Sequence, residues 1–101
     1  MVSTNTQIRK YEIVFISNPE ITDQEIEELV KIVSKEINDL SGTIIKTDIW
    51  GLKKLSYPIK KFREGNYVLI EFDILPSSIS QLNKTVESNE TIIRSLITKI
   101  S

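Results

Sequence analysis

The chain contains no cysteine and no histidine, only three glycines and three prolines, and no apolar run that approaches the ~20 residues of a membrane-spanning helix. Without cysteine there is no disulfide framework and no thiolate metal site, which fits a reducing compartment. Without histidine the commonest general base and the commonest metal ligand are both missing. The three glycines (Gly42, Gly51, Gly65) stand far apart, so no glycine-rich loop can cradle a phosphate. No signal-peptide apolar segment is present. At 101 residues the chain has room for one domain with a real core, but not for a separate substrate domain.

The formal net charge of −1 hides a strong segregation. Residues 1–11 carry Arg9 and Lys10 and no acid. Residues 12–45 carry eight acids against Lys31 and Lys35. Residues 46–63 reverse the sign, with Lys46, Lys53, Lys54, Lys60, Lys61 and Arg63 against Asp48 alone. Any attraction for a polyanion must therefore be one-sided, because the molecule as a whole supplies none. The stretch 50–67 also interleaves Trp50, Tyr57, Phe62 and Tyr67 with five of those cations. Such a mixture suits either a nucleic acid or a basic hairpin whose rings turn into the core.

Periodicity predicts the elements. Residues 1–8 are small and polar and read as a flexible N-terminal extension, with a single domain over 9–101. Tyr11–Ile16 is a strand with Tyr11, Ile13 and Phe15 on one face and Glu12, Val14 and Ile16 on the other. Thr22-Asp23-Gln24-Glu25 has capping-box spacing and opens a helix whose apolar stripe is Ile26, Leu29, Val30, Val33, Ile37 and Leu40. Gly42 is expected at the left-handed position that ends it. Glu27 and Glu28 read as its solvated face rather than as catalytic carboxylates. An extended region runs from Thr43 to about Ile59, with a bulge or close approach at Gly51 and an edge position marked by Pro58. Lys60 to Asn66 is the expected loop, and Tyr67–Ile74 the third strand, with Val68, Ile70, Phe72 and Ile74 on one face. A second helix follows Pro76, with Ser78 and Gln81 at capping-box spacing and a stripe of Ile79, Leu82 and Val86. A last strand covers Thr91–Ile100. The order β-α-β-β-α-β predicts an α+β, ferredoxin-like domain: a four-stranded antiparallel sheet with both helices on one face and the other face uncovered.

Catalysis has little to work with, since a nucleophile needs a base within hydrogen-bond reach and only Ser–Lys or carboxylate schemes remain. No metal-ligand spacing occurs; Asp23, Glu27 and Glu28 are spaced as helix surface. The RNA-recognition version of this topology stacks bases on a third-strand signature. Here that segment reads Arg63-Glu64-Gly65-Asn66-Tyr67-Val68-Leu69-Ile70, where only Tyr67 could stack and the glycine has the wrong offset. Tyr11 and Phe15 fall on the core face. Phosphate and sugar contacts from the basic hairpin fit better than base readout.

Four blocks, in this order and spacing, resemble the bacterial family of the sixth small-subunit ribosomal protein: Arg9-Lys10-Tyr11-Glu12, Trp50-Gly51-Leu52-Lys53-Lys54-Leu55-Ser56-Tyr57-Pro58-Ile59, Asn66-Tyr67-Val68-Leu69, and Asn89-Glu90-Thr91-Ile92-Ile93-Arg94. The second is the specific one. The resemblance spans about Arg9 to Ile100, with extra residues before the usual start and no charged C-terminal tail. It implies a non-catalytic protein of the cytoplasmic ribosome, or of its organelle equivalent, without cofactor, metal, membrane or small-molecule substrate. It further implies binding to small-subunit ribosomal RNA together with the eighteenth small-subunit protein, which is strongly basic in this family.

On that reading Arg9, Lys10, Lys53, Lys54, Lys60, Lys61, Arg63 and Arg94 are the candidate RNA contacts. Trp50, Leu55, Tyr57 and Ile59 are the candidate protein-partner contacts. Alternation along one strand predicts that some of these four are core instead. The competing reading is a ligand-sensing or oligomerising ferredoxin-like regulatory module, which would leave the basic hairpin without a purpose.

Overall fold

The computed structural model describes residues 7–100; of the expected extension 1–8, the first six residues lie outside the described chain. Seven elements follow in order: β1 (Arg9–Ser17), α1 (Asp23–Asp39), β2 (Thr43–Ile59), β3 (Phe62–Ile74), a 3-10 turn (Pro76–Ser78), α2 (Ile79–Glu87) and β4 (Ile92–Lys99). The strands form one antiparallel sheet in the order β2-β3-β1-β4. This is the ferredoxin-like arrangement expected from the element order, with the first strand at the centre.

The core lies between one sheet face and the two helices. Tyr11, Ile13 and Phe15 from β1 meet Val68, Ile70, Phe72 and Ile74 from β3, Ile26, Leu29, Val33 and Ile37 from α1, and Leu82 and Val86 from α2. Tyr11 and Phe72 sit opposite each other across the two central strands, and their rings stack at 6.1 Å. The faces are those that alternation predicted. Side-chain alternation decides the outcome because helices cover only one face.

Local signals settle the helix ends, with two corrections. At the start of α1 the capping box forms in full: Glu25 N–H donates to Thr22 Oγ1 (3.2 Å) and Thr22 N–H to Glu25 Oε1 (2.9 Å). At its end the left-handed residue is Ser41 (φ 67°), not Gly42. The amides of Ser41 and Gly42 donate to Asn38 O and Ile37 O, closing a Schellman turn one residue earlier than expected. Gly42 is needed for space instead, since a Cβ there would lie 2.7 Å from Ile37 Cγ2 and 2.9 Å from Asp73 O. The second correction is at α2, where Ser78 makes no side-chain cap. The chain enters α2 through the 3-10 turn, so the amides of Ser78 and Ile79 are already bonded to Leu75 O and Pro76 O. Ser78 has helical rather than extended backbone, which does not suit a side-chain cap.

The largest departure concerns the hairpin. Residues 62–66 are strand, not loop, and the turn consists of Lys60 and Lys61 alone, both with positive φ (48° and 77°). That is the backbone pattern of a type I′ turn, whose twist matches antiparallel strands even without its usual Asn-Gly. β2 and β3 therefore run on past the end of β1 as a two-stranded arm, and the long axis of the molecule reaches 51 Å. β4 is slightly shorter than expected, ending at Lys99.

Candidate RNA and protein interface

Three irregularities shape β2. Its pairing with β3 slips between Ile44 and Lys46, between Ile49 and Gly51, and between Lys54 and Ile59. At the second slip Gly51 takes φ +87° with open space around it, so the glycine supplies conformation rather than clearance. The bulge places Trp50 on the helix-free face, where its ring stacks on Tyr67 (6.2 Å between centroids) and Nε1 donates to Asp48 Oδ2 (3.0 Å). At the third slip β2 spends five residues where β3 spends two, and this slack curls the arm across the end of β1.

The curl brings together residues far apart in sequence. Ile16, Leu55, Ser56, Tyr57, Ile59, Tyr67 and Arg94 line one shallow depression. Arg94 Nη1 donates to Tyr57 Oη (3.1 Å), with the guanidinium 6.0 Å from the ring centre. Lys60 comes beside Ile92, Arg94 and Ser95 at the start of β4. The close approach depends on Gly65, where a Cβ would stand 2.2 Å from Ile16 Cγ2. Beneath it, buried Ser17 and Asn66 are paired across the strands, and Asn66 Nδ2 donates to Asn18 O (3.1 Å).

None of the four aromatic and aliphatic candidates joins the core. Trp50 is 43% and Tyr57 58% exposed, while Leu55 and Ile59 are half-buried within the arm. Regular alternation would have divided them between two faces. The bulge at Trp50–Gly51 and the slack before Ile59 remove that constraint. Tyr67 connects them, since it both stacks on Trp50 and lines the depression of the other three.

The cations divide into two groups. Lys53, Lys54, Lys60, Lys61 and Arg63 are all exposed along the arm, and Arg94 adjoins them from β4. Arg9 and Lys10 begin β1 and pair with Ile74 and Asp73, at the other end of that strand. Eight residue steps of strand, about 26 Å, separate Arg9 from Ser17 at the arm's root. The fold therefore does not bring Arg9 and Lys10 to the arm.

Sequence reasoning missed the apolar part of the helix-free face. Val14 lies between Leu69 of β3 and Leu96 of β4, and Leu96 is 66% exposed. In the next row Glu12 faces Glu71 directly, with Lys46 beside Glu71 and Thr98 beside Glu12. Like charges opposite one another weaken a sheet unless a cation joins them. Strand register was the signal that could have revealed these rows, and it becomes available only once β1 is known to lie between β3 and β4. The pKa of Lys35 is raised by its hydrogen bond to Asp39 on the surface of α1, far from these residues. Among the described residues no group of three or more acids gathers as a metal site, and no helix is long and apolar enough to cross a membrane.

The family model for ribosomal protein S6 matches residues 10–99. The small ribosomal subunit protein bS6 of Clostridioides difficile is 39% identical over 90 residues, covering 89% of this chain and 97% of that protein. The crystal structure of 30S ribosomal protein S6 from Thermotoga maritima superposes with a TM-score of 0.88 at 34% identity, covering 93% of this chain and 89% of that one. The chemotaxis kinase CheA P2 domain from Thermotoga maritima, solved in complex with the response regulator CheY, superposes with a TM-score of 0.61 at 18% identity, covering 93% of this chain and 100% of that one. That second likeness is one of fold alone, and shows that the topology by itself does not select a function.

Proposed function

Because the chain belongs to the ribosomal protein S6 family, and so is a structural protein of the small ribosomal subunit rather than an enzyme, we propose that it binds small-subunit ribosomal RNA together with the eighteenth small-subunit protein. Its place is the ribosome, which in bacteria is cytoplasmic. The arm is the observation that carries the proposal. Five exposed cations project on a two-stranded ribbon from a chain whose net charge is −1. Such a layout offers phosphate contacts on one side without an attractive field elsewhere. Arg94 adds to that group, whereas Arg9 and Lys10 would reach a separate stretch of RNA.

The helix-free sheet face suits the protein partner. Trp50, Tyr67, Leu69, Val14 and Leu96 give it an apolar band, and the facing carboxylates of Glu12 and Glu71 favour a cationic neighbour. Leu55, Tyr57 and Ile59 border that band at Tyr67. The ligand-sensing alternative gains nothing comparable, because the arm would have no role in it.

One experiment addresses both halves. Lys53→Ala with Lys54→Ala should weaken binding to small-subunit ribosomal RNA and reduce the log–log salt slope by roughly one unit for each phosphate the arm no longer neutralises. Trp50→Glu should melt near the parent temperature yet lose affinity for the partner, since a buried unpaired charge costs several kcal/mol. An unchanged salt slope removes the arm from RNA binding; full partner affinity in folded Trp50→Glu removes the sheet face.

A further inference from the structure

Past the Ser17–Asn66 pair, β3 has no neighbour but β2. A two-stranded ribbon alone is marginal in water, and this one carries slack in β2 and two side-chain-bearing residues of positive φ at its tip. Its root is fixed by the Gly65–Ile16 approach and the buried Ser17 and Asn66. Farther out, the Arg94–Tyr57 hydrogen bond is the only side-chain hydrogen bond among the described residues that joins residues 55–63 to the rest of the fold. It links positions 37 residues apart and crosses the end of the central strand.

We propose that Arg94 is a positioning residue: through Tyr57 it holds the arm folded over the end of β1, and so fixes where Lys54, Lys60, Lys61 and Arg63 present their charge. The inference rests on the reading above that the arm meets RNA. Guanidinium chemistry suits the task, because its rigid fork of N–H donors can hold the phenolic oxygen while the cation stays beside the edge of the ring.

Tyr57 gives a clean test, since changing it removes the clasp without removing a cation. In Tyr57→Leu, amide exchange at residues 54–64 should accelerate about two- to fivefold, as expected when one exposed cation–ring interaction is removed. Exchange at Ile13 and Phe72 should stay at the parent rate. Affinity for small-subunit ribosomal RNA, measured with the eighteenth small-subunit protein saturating, should fall about twofold with an unchanged salt slope. Tyr57→Phe, which keeps the ring, should fall between the parent and Tyr57→Leu. Unchanged exchange in the arm overturns the clasp. Faster exchange with undiminished RNA affinity overturns its positioning role. Failure of the unaltered protein to bind RNA would instead overturn the reading on which positioning depends, while exchange still decides whether Arg94 holds the arm.

Discussion

The sheet body and the hairpin arm share two strands, β2 and β3, yet they are stabilised by different means. Where β3 runs beside β1, every second side chain enters a closed apolar layer, and Val68, Ile70, Phe72 and Ile74 are all fully buried. Where it runs beside β2 alone, order depends on a close approach at a glycine, a pair of buried polar residues and one arginine–tyrosine hydrogen bond. Burial is collective, so no single residue of the body decides its shape. In the arm a few specific interactions do, and the cations ride on that less redundant part.

The comparison breaks first at Phe72. Replacing it with alanine should cost about 3–5 kcal/mol, since its ring is wholly enclosed between sheet and helices. Leu69→Ala, on the half-buried opposite face of the same strand, should cost about 1 kcal/mol. Chemical denaturation of the two variants decides this, and equal losses would contradict the division of faces.

Next in size is Gly65→Ala, where the added methyl group meets the stiff, β-branched Ile16. A loss of about 1–3 kcal/mol is expected, as for overpacking elsewhere. A cycle with Ile16→Ala should recover part of it, because that change removes the opposing Cγ2 atom. Strict additivity would mean that the arm's root does not touch β1 as described.

The smallest effect sharpens the contrast rather than breaking it. Lys60→Asn with Lys61→Gly supplies the residues that a turn of positive φ prefers, so exchange within the arm should slow while the melting temperature hardly moves. RNA affinity should nevertheless fall as the two charges are removed. Tighter RNA binding by this variant would show that the tip contributes shape rather than cations.

What was legible in the sequence follows the same boundary. The helix stripes, the Thr22 cap and the core faces of β1 and β3 could be read because each is a local or periodic signal that tertiary context did not override. The arm was read less well. Residues 62–66 carry Arg63, Glu64, Gly65 and Asn66, a composition that argues for a loop, and they are held as strand by pairing with residues 52–54 and 59 of β2 and, at Asn66, with Ser17 of β1. Trp50 and Tyr57 could not be sorted between core and surface, because the bulges that reset the alternation show only in the register. Arg94 could be recognised as a cation but not as Tyr57's partner. That pairing exists because the arm curls back, and nothing local to either residue encodes the curl.

The position of β1 has a consequence for how the chain is made. The central strand precedes both of its neighbours: β3 begins at Phe62 and β4 at Ile92. A chain synthesised from its N-terminus must carry Tyr11–Ile16 with both edges unpaired until β3 is released, and with one edge unpaired until β4 follows. Throughout that interval the apolar face of β1 has α1 to lean against, and α1 is among the earliest elements able to form, since its contacts are short-range. The acids of α1, set around its apolar stripe, keep the outward side of that helix polar. Closure of the sheet, marked by the amide of Ile100 donating to Lys10 O, therefore waits for β4 and follows the pairing of β1 with β3.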